Sequence, residues 1–416
     1  MRLYQVNGDW ITFLQDRQFR NELSDTLRSL DLARLQKYPP PKINGLPIGN
    51  ETRVFSRFIR RQSSQLDASA LSSLYRRFLS AEDKALYQAF RMNEPLSPVE
   101  WSNIIGHDTV EKWIENRCLE TMADGSLRCQ FSIVSIDGIV FCVDPLKDHG
   151  KIWEPNFIVD QKSDISEEIQ PFFHTYIGLD SLRMIELMKK EALPNGGRYL
   201  DCGPGCGSLL LYFGRRFDEA LGVDISLRAA TLAQFNAELN GLSNCKTVCD
   251  DALAIEDKYG KFDLVSWNLP FIFMPAEHED VFIDGYGGEM GIGLCLKFIE
   301  TIPQLLSKRG LACVAALSPI LSNGENVLEG RLREKLGSLG LDCTVKVAQI
   351  SLAENRELWN FHRSHNISRF ESVYLYIKPG TGRLNRIGSP VSRRVIDKLR
   401  EQMYARRFSE NHNNGR

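Results

Sequence analysis

Residues 198–211 read RYLDCGPGCGSLLL, which is a short apolar run, a loop with three glycines and the start of an apolar helix. The glycines are Gly203, Gly205 and Gly207, and an acid, Asp201, precedes them. Glycine lets a tight strand-to-helix turn pass beneath a bulky ligand, and the helix that follows offers free backbone N–H groups. The stretch therefore predicts a strand, a ligand-binding loop and a helix in direct succession.

The glycine spacing and two later acids narrow the choice of ligand. Dinucleotide folds use G-x-G-x-x-G, whereas the glycines here alternate, which favours S-adenosylmethionine over a dinucleotide. Asp224, followed by Ile225, ends a second apolar run, where a carboxylate accepts hydrogen bonds from both ribose hydroxyls. Asp251 and Ala252 end a third run and offer an acceptor to an adenine amino group, with a turn or cap as the alternative role for Asp251.

Strand-like and helical stretches alternate outward from this loop to about residue 379. The predicted strands are 198–201, 220–223, 246–248, 262–267, 311–317, 344–350 and 372–377. Predicted helices such as 227–240 and 292–307 lie between them, and 352–368 is predicted as a loop. The alternation indicates an α/β protein with a Rossmann-like, doubly wound, seven-stranded sheet.

The fourth predicted strand runs directly into Asn268-Leu269-Pro270-Phe271. The lone pair of a planar NH2 nitrogen is delocalised, so its methylation requires both N–H bonds to be held while the nitrogen pyramidalises. The Asn268 side-chain oxygen and the Leu269 carbonyl supply two acceptors, Pro270 stiffens the turn, and Phe271 offers a stacking face. The alternative is a proline turn with a buried phenylalanine. Its position after a candidate cofactor site favours the catalytic role.

Four segments in this order are similar to the motifs of class I S-adenosylmethionine-dependent N-methyltransferases. They are DCGPGCG at 201–207, GVDIS at 222–226, CDDAL at 249–253 and NLPF at 268–271. NLPF resembles the Asn-Pro-Pro-Tyr/Phe signature of release-factor glutamine methyltransferases, rRNA guanine methyltransferases and DNA adenine methyltransferases, and the Asn-Leu-Pro-Tyr of rRNA adenine dimethylases. The resemblance covers about residues 172–379 and implies a seven-stranded methyltransferase sheet.

Two further segments carry the same resemblance. DGYGGEMGIGL at 284–294 is similar to a glycine-rich segment of the glutamine methyltransferases, and its glycines suit a mobile lid within 271–293. YIGLDS at 176–181 is similar to the segment before the glycine loop in that group, which borders the cofactor and implies roles for Tyr176 and Asp180. Leu269 replaces the usual first proline, and the N-terminal part differs from that of the glutamine methyltransferases, so the acceptor is left open.

The chain divides into four predicted segments. Residues 1–67 form a helical N-terminal extension, and 68–150 form an α+β winged-helix-like module for substrate recognition. The module is indicated by a capping box at 97–100 and by a strand–turn–strand pattern around Asp137-Gly138. Residues 168–380 form the methyltransferase domain, and 381–416 form a basic tail.

Composition limits the partners. The 416 residues carry a formal net charge of -2, so the chain has no overall bias towards nucleic acid or membrane. From residue 378 onward, however, ten Lys or Arg side chains stand against three acids. The ten cysteines lack the paired spacing of a zinc site, so we expect no metal. No apolar stretch has the length of a signal peptide or a membrane span, which predicts a cytoplasmic protein.

The leading hypothesis is therefore an S-adenosylmethionine-dependent methyltransferase acting on an amide, guanidine or exocyclic amine. A small molecule, peptide or protein is favoured as acceptor. The alternatives are an RNA nucleobase N-methyltransferase and a non-catalytic S-adenosylmethionine-binding interaction module.

Overall fold

The computed structural model describes residues 10–37, 79–145, 175–255, 258–276, 285–351 and 356–388. The helices are, in chain order, α1 (Trp10–Phe13), α2 (Arg17–Ser29), α3 (Ala81–Phe90), α4 (Pro98–Ile105), α5 (His107–Glu115), α6 (Leu179–Met188), α7 (Ser208–Gly214), α8 (Leu227–Leu239), α9 (Gly293–Leu305), α10 (Val327–Leu339) and α11 (Arg356–Ser364). The strands are β1 (Leu119–Thr121), β2 (Leu127–Cys129), β3 (Ser132–Ile136), β4 (Ile139–Val143), β5 (Arg198–Cys202), β6 (Glu219–Asp224), β7 (Cys245–Cys249), β8 (Phe262–Asn268), β9 (Leu306–Leu321), β10 (Leu341–Ser351), β11 (Ile367–Pro379) and β12 (Leu384–Ile387).

The chain forms two compact units that do not follow its linear order. The first contains the described residues up to 145 together with 175–185 and 204–250. The second contains 186–203 and the described residues from 251 onward. The boundaries predicted near residues 67, 150 and 168 lie outside the described residues.

The N-terminal part of the first unit is built on helix caps and an aromatic core. The predicted capping box is confirmed, since the Ser97 side chain accepts from the Glu100 N–H and the Glu100 carboxylate accepts from the Ser97 N–H. Trp101 and Trp113 are buried, and their ring centroids lie 6.3 Å apart. Phe90 lies against both rings. The two tryptophans thus serve the core, as expected of residues on patterned helices.

Two small hairpins follow these helices. The predicted turn at Asp137-Gly138 is confirmed, because β3 and β4 pair across it and both residues have positive φ, 47° and 83°. The sequence predicts one strand over 127–136, whereas the structure divides it into β2 and β3. These strands pair with different partners, β1 and β4, since the chain changes direction at Gln130 and Phe131.

The large sheet has the strand order β12-β10-β11-β9-β8-β5-β6-β7. β11 is antiparallel to β9 and β10, while the pairs β5/β8, β8/β9, β6/β7 and β10/β12 are parallel. All seven predicted strands are present. The predicted total of seven is wrong, because β12 adds an eighth strand at one edge.

A second correction concerns the predicted loop 352–368. Helix α11 occupies most of it, and its aromatic face packs on the sheet.

The strand order of the sheet has a switch point between the neighbouring strands β5 and β8. After β5 the chain adds strands on one side of it, and with β8 it continues on the other side. In open α/β sheets such a switch point marks the ligand crevice beyond the carboxyl ends of the strands.

Candidate functional site

The glycine loop leaves open space beside Gly205. Gly205 and Gly207 have φ of 57° and 90°, in the left-handed region that favours glycine. A Cβ on Gly207 would lie 2.7 Å from the Leu211 side chain, so this glycine is required by packing. A Cβ on Gly205 would meet none of the described atoms within 4 Å. Gly205 therefore has a left-handed backbone that glycine adopts without strain, and none of the described atoms fills the space where a side chain would lie, which suits the approach of a ligand.

Asp224 is joined to this loop by its carboxylate. The Gly205 N–H donates to one carboxylate oxygen (3.1 Å), and the Ser226 N–H donates to the other (2.9 Å). Burial raises the pKa of Asp224 to about 6, and the two backbone hydrogen bonds oppose that rise. Ile225, the next residue, is half-buried, and its carbonyl accepts from the Cys249 thiol. The end of β6 thus presents a desolvated carboxylate beside the loop.

The segment before α6 also contacts the loop. The Cys206 thiol donates to the Tyr176 carbonyl over 3.7 Å. A Cβ on Gly178 would lie 2.2 Å from an Asp180 carboxylate oxygen and 3.2 Å from the Tyr176 ring. The predicted residues Tyr176 and Asp180 therefore flank one glycine, on a segment that touches the loop.

In the second unit, the start of the glycine loop lies beside β8. Cys202 and Trp267 are register partners on parallel strands, so the residues that follow them, Gly203 and Asn268, leave the same edge of the sheet. Gly203 has a φ of 61°, and a Cβ there would lie 3.0 Å from the Trp267 indole nitrogen. The two strand ends are close enough that only glycine fits without a shift.

Asp201 lies beneath this point in a buried polar chain. One carboxylate oxygen accepts from the Ser266 hydroxyl (2.5 Å), which also contacts the Tyr199 hydroxyl (2.6 Å). Asp201 is 1% exposed. The hydroxyl bonds join β5 and β8 side by side below the loop.

The Asn268 turn is held by backbone contacts. Asn268, Pro270 and Phe271 are half-buried, and Leu269 is buried. The Ile272 N–H donates to the Gly285 carbonyl (2.7 Å), and the Gly287 N–H donates to the Ile272 carbonyl (3.0 Å).

Two of the glycines near the turn are needed for this packing. A Cβ on Gly287 would lie 2.7 Å from the Phe271 Cα, and one on Gly291 would lie 2.7 Å from the Phe271 carbonyl oxygen. Gly287 and Gly291 serve close backbone packing, since any side chain there would press on the turn. The lid expected within 271–293 stays a prediction.

Asp251 has the turn geometry that was the alternative to a cofactor role. One carboxylate oxygen accepts from the Leu253 N–H (2.9 Å), and the Asp251 carbonyl accepts from the Ala254 N–H. Ala252 is buried. Asp251 itself is half-buried.

An aromatic cluster close to the turn was not predicted. Phe273 contacts the rings of Phe361, His362 and His365, with centroids 4.8, 5.7 and 5.0 Å away. The His362 ring nitrogen is 2.8 Å from the Phe273 carbonyl oxygen, and burial lowers the pKa of His362. The only sequence signal was the closeness of Phe361, His362 and His365 at the end of a polar stretch.

A contact between α8 and the glycine loop was also not predicted from the sequence. The Asn236 carboxamide is fully buried and donates to the Cys206 carbonyl in the glycine loop (2.8 Å). Nothing in the local pattern marks this residue, because its partners are distant in the chain.

A family model for a methyltransferase domain matches residues 200–284. No curated protein sequence matches the chain. Among solved structures, TYW2 of M. jannaschii in complex with AdoMet is 14% identical with a TM-score of 0.35, covering 63% of this chain and 92% of that one. The ribosomal protein L11 methylase of Lactobacillus delbrueckii subsp. bulgaricus is 19% identical with a TM-score of 0.30, covering 48% and 77%. An rRNA methylase of Streptococcus thermophilus is 12% identical with a TM-score of 0.31, covering 49% and 95%.

Structural similarities with TM-scores this low carry no argument, so the family model is what bears on the class of protein. The residues that it matches include the glycine loop, Asp224, Asp251 and the Asn268 turn. Residues 200–284 thus match a methyltransferase domain, and S-adenosylmethionine is the cofactor. None of the described helices is long and apolar enough to cross a membrane.

Proposed function

We propose that the chain transfers a methyl group from S-adenosylmethionine to a planar nitrogen, with a small molecule, peptide or protein as the acceptor. The observation that carries the proposal is the position of Asn268. It ends β8 directly beside the start of the glycine loop, and the turn that follows it is fixed by the contacts of Gly287 and Gly291. A carboxamide carried on a backbone fixed in this way suits an acceptor NH2 group that must not rotate.

In this proposal the reacting nitrogen is oriented rather than deprotonated. The Asn268 side-chain oxygen and the Leu269 carbonyl accept hydrogen bonds from its two N–H groups. Pro270 stiffens the turn, and Phe271 stacks on the planar group. The cofactor supplies an electrophilic methyl group on a sulfonium. An amide or exocyclic amine then needs no strong base before transfer, because its proton is lost after the nitrogen has become cationic.

We assign to the cofactor the residues that the sequence predicts for it. They are Tyr176, Asp180, Asp201, Gly203, Gly205, Gly207, Asp224, Ile225, Asp251, Ala252 and Asn268. What supports their fit is the open space beside Gly205 and the chemistry of Asp224. A buried carboxylate with a raised pKa gains from hydroxyl donors, which replace the water that burial removed.

The charge of the N-terminal part supports an acceptor other than nucleic acid. The exposed carboxylates of Asp108, Glu111 and Glu115 lie on α5, and Lys112 on the same helix is paired with Glu22 (2.9 Å). A phosphate backbone would be repelled by this helix. The basic tail is the feature that favours RNA, and most of it lies outside the described residues.

The test is a radiolabelled methyl-transfer screen with separate protein, RNA and small-molecule pools, followed by assignment of the methylated atom by mass spectrometry. Asn268→Ala should lose about a hundredfold or more in turnover while cofactor affinity stays near the wild-type value. An Asn268→Ala enzyme with full turnover, or a methyl group on oxygen, sulfur or carbon, would overturn the nitrogen assignment.

A truncation distinguishes RNA from the other acceptors. Because β12 ends at Ile387 and belongs to the sheet, the tail must be cut after Gly388 to leave the fold intact. We expect activity to persist and to depend little on salt. Loss of activity, with a steep salt dependence of the full chain, would place an RNA acceptor first.

A further inference from the structure

Asn236 on α8 and Asn240, the residue that caps the C-terminus of this helix, bind the edge of β4 that is not paired with β3. The Asn236 carboxamide accepts from the Cys142 N–H (2.8 Å) and donates to the Cys142 carbonyl (2.9 Å). Asn240 repeats the arrangement one helical turn later, accepting from the Val140 N–H (2.9 Å) and donating to the Val140 carbonyl (2.7 Å). Each side chain thus satisfies the strand backbone in the way a neighbouring strand would.

The match depends on the geometry of the two elements. Four residues along a helix rise about 6 Å, and two residues along a strand rise roughly 6.6 Å. Asn236 and Asn240 therefore meet residues two positions apart on β4, whose backbone N–H and C=O groups point to the same edge of the strand. A shift by a single residue would turn the wrong backbone groups towards the carboxamides.

Asn236 makes one contact that Asn240 does not. The same amide group that binds Cys142 also donates to the carbonyl of Cys206, which stands between Gly205 and Gly207. Asn236 is fully buried, whereas Asn240 is half-buried. One side chain therefore connects an N-terminal strand to the middle of the glycine loop.

A buried ion pair reinforces the same connection at the other end of α8. The Arg228 guanidinium binds the Asp144 carboxylate (2.5 Å), and these side chains are 9% and 6% exposed. Asp144 also accepts from the N–H and the hydroxyl of Thr175, the residue before Tyr176. At each end of α8, therefore, the bonds to the N-terminal residues involve a side chain or segment that also contacts the glycine loop.

We infer that Asn236 is a positioning residue for the cofactor loop, and that β4 holds this carboxamide in place, so the N-terminal part of the chain contributes to cofactor affinity. The inference rests on the proposed cofactor site. The inference also predicts how an isolated catalytic segment would behave. A fragment beginning near residue 168 would lack β4 and Asp144, and its glycine loop would lose this support.

The experiment compares Asn236→Ala with Asn240→Ala in the full chain. Both variants lose two bonds to β4, and only the first loses the bond to the loop. We expect Asn236→Ala to weaken binding of S-adenosylmethionine about tenfold by calorimetry, and Asn240→Ala to change it by less than about threefold. Equal weakening in both variants, or none in either, would overturn the inference.

A second measurement works without the cofactor. The Gly205 and Gly207 N–H groups donate to Asp224 and to the Pro204 carbonyl, so hydrogen exchange at these amides reports opening of the loop. Exchange should be about tenfold faster in Asn236→Ala and unchanged in Asn240→Ala. If the wild type binds no S-adenosylmethionine, the proposed function fails, while this comparison still decides the role of Asn236.

A second pair of variants keeps more of the contact to β4. Asn236→Asp and Asn240→Asp keep the size of the side chain and its acceptor for the β4 N–H group, and a buried, protonated carboxyl group has one O–H donor where the amide has two N–H donors. Asn236→Asp should again open the loop and weaken cofactor binding, and Asn240→Asp should do neither. The reverse order of effects would overturn the inference.

Discussion

The glycine loop and the Asn268 turn are held by different kinds of contact. Around the loop, side chains bind the backbone: Asp224 accepts from Gly205, and Asn236 donates to Cys206. Around the turn, backbone packs directly on backbone, and Gly287 approaches so closely that a Cβ would lie 2.7 Å from a main-chain atom. Both regions need glycines for close packing, and the loop depends in addition on particular polar side chains.

The difference predicts different responses to mutation. Polar groups can be weakened by pH or by a change of donor, and the loop should then lose affinity while the fold persists. Close backbone packing involves no titratable group, so pH should not affect it, and it should be disrupted when side-chain atoms are added. Substitutions in the two regions therefore separate cofactor binding from the placement of the turn.

The largest effect is expected for Gly205→Val. A side chain there meets no described atom within 4 Å, so it would occupy the space proposed for the cofactor. Calorimetry should show a loss in cofactor affinity of more than about a hundredfold. The matched control is Gly241→Val, since Gly241 also has positive φ, 68°, and open space around it. Equal affinity in the two variants would show that the cofactor does not pass Gly205.

Asp224→Ala should have the next largest effect. Losing charge-assisted hydrogen bonds to the ribose hydroxyls should weaken cofactor binding by roughly 1.5 to 3 kcal/mol. Isothermal titration of the purified variant measures this directly. Wild-type affinity in Asp224→Ala would remove this carboxylate from the cofactor site.

Gly287→Ala tests the other region. The added methyl group must displace the Phe271 backbone, so the free energy of unfolding should fall by about 1 to 3 kcal/mol and turnover should fall with it. Gly330→Ala is the control, because this glycine lies inside α10 and a methyl group added there would meet no described atom within 4 Å. The control should be as stable as the wild type or more so. A fully stable and active Gly287→Ala would show that the turn tolerates displacement.

The smallest effect concerns pH. Because burial raises the pKa of Asp224 to about 6, cofactor affinity should fall about tenfold between pH 7 and pH 5 as the carboxylate becomes protonated. The stability of the free protein should respond in the opposite direction. A raised pKa of an acid favours the folded state at low pH, and this contribution is lost as pH rises through about 6. Asp224→Asn should abolish both trends, and a pH profile unchanged by that substitution would assign them to another group.

Prediction from the sequence is correct for strands and helices that have long hydrophobic runs. It fails for features that depend on contacts between residues distant in the chain. All the strands preceding the proposed site residues are present, because apolar runs and glycines mark them locally. Leu384–Ile387 escapes prediction because it is a mostly exposed edge strand, and the amphipathic α11 falls in a segment predicted as a loop. The close packing at Gly287 could not be predicted either, since a missing side chain can serve mobility or close packing, and only the folded structure shows the neighbouring backbone. Which proposed residues bind the cofactor stays a prediction.

The contact between β4 and α8 also has a consequence for synthesis on the ribosome. Cys142 and Asn236 are 94 residues apart, and Val140 and Asn240 are 100 apart. At a translation rate of about 5 to 20 residues per second, β4 emerges roughly 5 to 20 seconds before its partner helix. During that time the outer edge of a two-stranded sheet is open to pairing with other chains. The nascent protein therefore passes through an interval in which its N-terminal part is complete in sequence but lacks the helix that covers it.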